Sequence, residues 1–317
     1  MEPKFLVHHD AGQAVFGAHP KLQLIFESEQ ALFHEAAVFT PSDNLDRLFV
    51  TSNILAEGNG AAAKIKISKL TRQGKDDSTW SHEELPAGDI VMGNGGVNQP
   101  GGENILFCSQ GNHTAPSSLV LMKIESPHST QVLLNNYHGR PFNSVNDVVF
   151  SKDGSIWFTD PNYGHEQKFK PRPRLPCQLY RYDQSRESIR AVADGFGRPN
   201  GLCFSPDEGT LYAFTVRNYH GSPFLTDRRL FAMADTGAPD GIKCDIQGRI
   251  YSGCGDGVNI WLPDGTLIGK VIVPGGVANF CFGRSGEMFL LHETKFWVAK
   301  IASDAKGALL EGMGVSV

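Results

Sequence analysis

Glu35, Asn146, Asn200 and Asp240 each stand just ahead of a short apolar run, and each carries a side-chain oxygen. Two are carboxylates and two are carboxamides. Oxygen-only ligation, completed by water, suits Ca2+ and tolerates Mg2+ or Mn2+, whereas zinc sites favour thiolate and imidazole. Asn and Asp before strands are also ordinary turn formers. One such residue would favour that plain reading; four in one register favour a cation.

The register comes from a repeated pattern. Arg198-Pro199-Asn200-Gly201 leads into Leu202-Cys203-Phe204-Ser205, then a Pro206-Asp207-Glu208-Gly209 turn and a second run at Thr210-Leu211-Tyr212. Pro239-Asp240-Gly241 opens a matching copy through Cys244 to Gly248 and Ile250-Tyr251, and Val145-Asn146-Asp147 opens another through Phe150 to Asp153-Gly154 and Ile156-Trp157. Glu35 heads an early copy, and Asn279-Phe280-Cys281-Phe282 a late, looser one. Steps of 54, 40 and 39 residues separate Asn146, Asn200, Asp240 and Asn279, and the 111 residues from Glu35 to Asn146 leave room for a hidden unit near Gly93–Gly102. Repeats of this period indicate stacked supersecondary units. Six units, each with the strands of a four-stranded blade, predict an all-β, six-bladed β-propeller over residues 1–317, one domain with the metal site on its central axis. Closure should pair an N-terminal strand with the stretch around Phe296-Trp297-Val298-Ala299.

Composition agrees with many short strands. Charged residues make up 20% of the chain, against 35 glycines and 18 prolines. A net charge of −5 supplies no basic field for a nucleic-acid partner. No run is long enough for a membrane span, and the N-terminus lacks the apolar core of a signal peptide, so the expected location is cytoplasmic. The six cysteines form no Cys-x-x-Cys pair and read as free thiols. Phe5–Phe16 and then Leu22–Phe26 read as one or two strands preceding the first repeat. Pro161–Pro176, Pro-rich and basic, reads as an extended solvated connection, with a lid above the channel as its alternative.

On Asn146-Asp147, Arg198-Pro199-Asn200-Gly201, Pro239-Asp240-Gly241 and Tyr251-Ser252-Gly253-Cys254-Gly255-Asp256-Gly257, the chain resembles the senescence marker protein, regucalcin and gluconolactonase family, most of all its microbial lactonohydrolase branch. The resemblance spans nearly the whole chain. It implies a divalent ion held by Glu35, Asn200 and Asp240, with Asn146 near metal and substrate, and hydrolysis of a lactone. Ca2+ is the expected cofactor, with Mg2+, Mn2+ or Zn2+ as substitutes. Two departures stand out. Glu35 is followed by Ala36-Ala37 where the family commonly has Gly-Pro, and Ser144 occupies a place where some members carry a sugar-contacting Arg.

The implied chemistry is carbonyl polarisation and activation of water by the cation, with Asp240 as candidate proton acceptor and Asn146 beside the reacting group. His34, Tyr163, Asn279 and His292 are candidate substrate contacts, and either histidine could share the base role. The glycine runs at 93–102 and 253–257 read as turns, with no following helix to cradle phosphate. His292-Glu293 lacks the second histidine of a zinc-protease helix, and no Gly-x-Ser-x-Gly elbow is present. The partner expected is a small-molecule lactone, with neither nucleic acid nor membrane. Two other functions share the scaffold: metal-dependent isomerisation or cyclisation, and non-catalytic calcium or ligand binding.

Overall fold

Apolar runs of three to six residues, each closed by a Gly- or Asp-bearing turn, pair most readily with their immediate neighbours in sequence. The computed structural model describes residues 2–42, 45–55, 63–73, 79–212 and 214–315, and there the strands pair in that way. The first sheet runs Glu35–Thr40, Arg47–Thr51, Ile67–Arg72, Trp80–Leu85. The second runs Gly93–Asn98, Asn104–Ser109, Ser118–Lys123, Thr130–Leu134, and the third Val148–Phe150, Ile156–Asp160, Gln178–Asp183, Ser188–Ala193. The fourth keeps Thr210–Leu211, Phe214–Tyr219 and Ser222–Thr226, its innermost segment reduced to a bridge between Phe204 and Leu211. The fifth holds Ile242–Cys244, Ile250–Cys254, Gly257–Trp261 and Leu267–Ile272, with Lys4–Val7 added at its outer edge. The sixth holds Asn279–Phe282, Glu287–His292 and Lys295–Lys300, with Lys21–Glu27 outermost. Leu22 pairs with Ala299 and Gln23 with Val298, so the N-terminal strand lies where closure required it.

Apolar cores fill the spaces between successive sheets. Phe49 and Ile67 meet Ile105 and Phe107; Leu106 and Leu119 meet Phe158 and Tyr180; Trp157 meets Leu202 and Leu211. Tyr251 and Ile260 meet Phe280 and Met288, and Phe289 and Phe296 of the sixth sheet meet Phe39 and Leu70 of the first. The junction of fourth and fifth sheets is the thinnest, with Cys203, Cys244 and Ile250 as its fully buried members. Charge reinforces the return from sixth to first: Arg72 donates to both oxygens of buried Glu287 at 3.0 and 2.9 Å, and Arg284 grips Asp46 at 3.1 and 3.0 Å.

Several sequence expectations are corrected. Of the first stretch Lys4–Val7 and Lys21–Glu27 are strands, but Asp10–Phe16 between them is a helix, started where His9 Nδ1 accepts the Ala11 N–H at 3.1 Å. Gly93–Asn98 is the innermost strand of the second sheet rather than a turn, and in 253–257 only Gly255-Asp256 turns. These glycines serve close approach. A Cβ on Gly95 would lie 2.5 Å from the Asn146 carbonyl oxygen, and one on Gly201 2.3 Å from that of Asp240. Pro161–Pro176 contains a helical turn, Tyr163–Glu166, and is fastened down: Ser144 Oγ accepts the Gly164 N–H at 2.8 Å, and Lys170 Nζ donates to the Gln110 carbonyl at 2.8 Å. All six cysteines are free, and no described helix is long and apolar enough to cross a membrane.

Gly241 is the same device in the fifth sheet, where a Cβ would lie 2.4 Å from Asn279 Oδ1 and 3.0 Å from its Cα. Gly241→Ala should therefore cost about 1–3 kcal/mol in urea denaturation, the usual penalty of forcing extra volume into a packed contact. Gly197→Ala, with nothing within 4 Å of the new methyl, should stay within about 0.5 kcal/mol of the parent. Equal effects would show that close strand approach is not what requires Gly241.

Candidate functional site

The innermost strands contact one another in succession at one end. Thr51 Oγ1 donates to the Asn94 carbonyl at 3.0 Å, the Gly95 N–H to the Asn146 carbonyl at 2.9 Å, and Thr159 Oγ1 to the Asn200 carbonyl at 3.0 Å. Gly201 abuts the Asp240 carbonyl, the Gly241 N–H bonds to the Ala278 carbonyl at 2.9 Å, and Asn279 Nδ2 reaches Glu35 Oε2 at 2.5 Å. Glu35, Asn146, Asn200 and Asp240 are thereby carried to one end by four different sheets.

Each has a distinct setting. Glu35 is 4% exposed and opens its strand just before a bulge, in which Ala36 takes φ 53. The Ala36-Ala37 departure thus makes its turn by local strain. Asn146 donates from Nδ2 to Asn94 Oδ1 at 3.0 Å, which leaves Oδ1 buried with no protein partner. Asn200 Nδ2 donates to the Tyr163 hydroxyl at 3.2 Å, so the 161–176 insertion does reach the site. Asp240 Oδ1 is likewise buried without a partner, while the Asn200 amide and Glu35 lie within hydrogen-bonding reach of its carboxylate.

Asn279 corrects the assigned register. Phe282 pairs with Met288 as Cys244 pairs with Ile250, so Ala278, not Asn279, stands level with Asp240. Asn279 is level with Gly241 and Asp147, and it touches Glu35 from that place because Gly241 leaves room for it. Asp147 is spent on structure, accepting the Val148 and Leu202 N–H groups at 2.9 Å each. Ser144, at the place of the family's Arg, is buried, and its hydroxyl accepts the Gly164 N–H.

The electrostatics follow from burying two carboxylates together. Burial raises the pKa of Glu35, and the Asp240 charge raises it further; burial likewise raises that of Asp240, against the pull of His34 and Asn200. Burial opposes charge on His34 as well, but its 2.8 Å Nδ1 bond to Glu293 and the charges of Glu35, Glu293 and Asp240 outweigh that and push it up to about 9. Asn53 Nδ2 steadies the far oxygen of Glu293 at 2.9 Å. His292 stands apart. Its Nδ1 is buried and unpartnered, its ring packs on Gly275, and burial pulls its pKa down.

Glu293, Asn53 and Asn94 were not singled out in the sequence. Asn94 lay in a glycine run read as a turn, though it sits 52 residues before Asn146, a spacing close to the repeat. Glu293 and Asn53 carry no local signal.

The donor set fits a hard divalent cation. Two buried oxygens, Asn146 Oδ1 and Asp240 Oδ1, have no partner, and Asp240 stands beside Glu35 and Asn200; a buried acceptor without a donor is costly unless a ligand completes it. Among the described residues no group of three or more His, Cys, Asp or Glu could hold a metal, so amide oxygens must share the task. That disfavours zinc.

Residues 63–291 match the family model described as SMP-30/gluconolactonase/LRE-like region. A gluconolactonase of Zymomonas mobilis is 30% identical over 66% of this chain, and the match spans 63% of that protein's length. A lactonohydrolase of Aspergillus oryzae, oryL, is 27% identical over 96% of this chain and 75% of its own. Among solved structures, a gluconolactonase of Xanthomonas campestris superposes with a TM-score of 0.75 at 24% identity, over 95% of each chain, which establishes the likeness of fold.

The His34–Glu293 pair yields a pH test. Because the folded pKa of His34 is raised, the pair's stabilisation is fully present below the ordinary histidine value of ~6.5 and is lost as pH rises through about 9. In chelator-treated protein, imidazole NMR should place the His34 midpoint well above that ordinary value, and Glu293→Gln should lower it by at least one unit. A midpoint indifferent to Glu293→Gln would remove Glu293 as the cause.

Proposed function

The chain belongs to the SMP-30/gluconolactonase/LRE-like family, and we propose that it is a divalent-cation-dependent hydrolase that opens a lactone, built as a single six-bladed propeller. The observation that carries this reading is the pair of buried, partnerless oxygens on Asn146 and Asp240, the latter beside Glu35 and Asn200. Relatives named gluconolactonase and lactonohydrolase support the reaction class.

Glu35, Asn146, Asn200 and Asp240 would hold the ion, with Ca2+ the best fit to two carboxylates and two amide oxygens. When bound, such an ion polarises a lactone carbonyl and lowers the pKa of a coordinated water. The chain's own residues supply the rest. Asn279 fixes the Glu35 carboxylate, Asn94 engages the Asn146 amide nitrogen and leaves its oxygen free, and Tyr163 braces Asn200. Asp240 accepts the proton of the attacking water. His34 is held protonated by Glu293, so it serves as a donor toward the developing oxyanion or the leaving alkoxide and not as the base. His292, tucked against Gly275, takes no part.

Asp240→Asn separates ligand from base, because it keeps an oxygen donor and removes charge and basicity. With excess Ca2+, lactone hydrolysis followed by acid release should remain about 10²–10⁴-fold below the parent, the usual contribution of a positioned base. Glu35→Gln, a ligand change alone, should recover most of its rate at saturating Ca2+. Full recovery of Asp240→Asn would remove its base role. Native protein shown to be metal-free and hydrolysing at full rate in chelator would remove the cation from the reaction.

A further inference from the structure

A second space adjoins the candidate site. Between the fourth and fifth sheets, at the thinnest core of the molecule, lies a cavity of about 590 Å³, within the size range of small-molecule pockets. Its inner wall includes Pro199, Asn200 and Gly201, and also Pro239, the residue before Asp240. It therefore begins at the backbone that presents two of the four candidate ligands and extends outward from there.

The lining is apolar. Phe196, Phe214, Phe231, Ile242 and Trp261 form much of it, and Leu230, 84% exposed, stands in the wall. The hydroxyls at the inner end are already committed: Thr159 Oγ1 donates to the Asn200 carbonyl at 3.0 Å and Ser252 Oγ to the Gly241 carbonyl at 3.1 Å. Arg228 donates to the Asp194 and Gly195 carbonyls at 3.2 and 3.3 Å, and its guanidinium lies 4.6 Å from the Phe196 ring centroid. A polyhydroxylated arm would lose its water here and find few donors or acceptors in exchange. A hydrocarbon or aromatic arm would lose only unfavourable exposure.

We propose that this cavity receives an apolar substituent of the substrate, so that the preferred lactones carry an alkyl or aryl arm on the ring and are not sugar lactones. The proposal rests on the reading of the Glu35–Asn146–Asn200–Asp240 group as the lactone-opening site. The ring is opened there, while the arm lies along Pro199–Gly201 and under the Arg228–Ala232 segment. Leu230, otherwise a large side chain spent in solvent, gains a partner when the arm is bound.

The test is kcat/KM, with saturating Ca2+, for γ-lactones bearing no chain, a propyl chain or an octyl chain, beside glucono-δ-lactone. Each methylene that enters the cavity should raise kcat/KM by about fourfold, the equivalent of ~0.8 kcal/mol, until the chain outruns the space. Leu230→Glu, at a position the fold leaves exposed, should cut the octyl-to-unsubstituted ratio by about tenfold or more. Hydrolysis of all four lactones with a flat chain-length profile, or a ratio untouched by Leu230→Glu, would overturn the proposal and leave lactone hydrolysis standing. Failure to hydrolyse any lactone, in protein shown to bind Ca2+, would overturn the hydrolase reading and the proposal with it.

Discussion

Close approach of the innermost strands is the constraint on which the rest depends. Gly95, Gly201 and Gly241 sit where any Cβ would fall within 2.5 Å of an atom of the next strand. In their place the strands exchange backbone and side-chain hydrogen bonds, and oxygen-bearing residues of different sheets, Asp240 with Glu35 and Asn200, are brought together. The absence of three methyl groups thus does as much for the site as the presence of its carboxylates. The cores between sheets and the Arg72–Glu287 and Arg284–Asp46 pairs hold this arrangement from outside.

The approach has an electrostatic cost. Glu35 and Asp240 are brought together away from water; burial strengthens the hold of each on a proton, and the Asp240 charge strengthens that of Glu35 further. One protonated imidazole, His34, offsets part of that charge, and Glu293 with Asn53 keeps the imidazole charged. A bound divalent cation would answer the remainder, and it would supply the partner that Asn146 Oδ1 and Asp240 Oδ1 lack. Stability without such an ion and affinity for it would then be opposed: the same crowded oxygens that burden the free protein would be the donors the ion requires.

Asymmetry between the sheets adds a second property. Most junctions are filled with buried aromatic and branched side chains, but the one between fourth and fifth sheets has two cysteines and an isoleucine as its buried members, with Tyr212, Phe231 and Ile242 only partly buried against them, and a cavity stands there. The fourth sheet is also the one whose innermost segment has shrunk to a single bridge, at Phe204. Less pairing in that first segment goes with open space beside Asn200. A loss of regular structure in one unit thus coincides with space next to the chemistry.

Much was legible in the chain itself. The Asn146, Asn200 and Asp240 copies each combine an oxygen donor, a short apolar strand and a tight turn, and such local patterns need no distant partner to be read. The pairing of the N-terminal strand with the last strands also followed from the expectation of a closing repeat. What escaped depended on contacts far apart in sequence. Gly93–Asn98 has the composition of a turn, and it is a strand because the Asn146 carbonyl and Ala36 leave no space for side chains there. Asn279 was assigned one position out, since its partner Glu35 lies 244 residues away and no local pattern fixes a one-residue slip. Glu293, which decides the charge of His34, stands 259 residues from it. Residue types and period determined which donors this protein carries. Only the tertiary structure decided how each is turned, braced and charged, because those properties belong to neighbours that folding alone brings together.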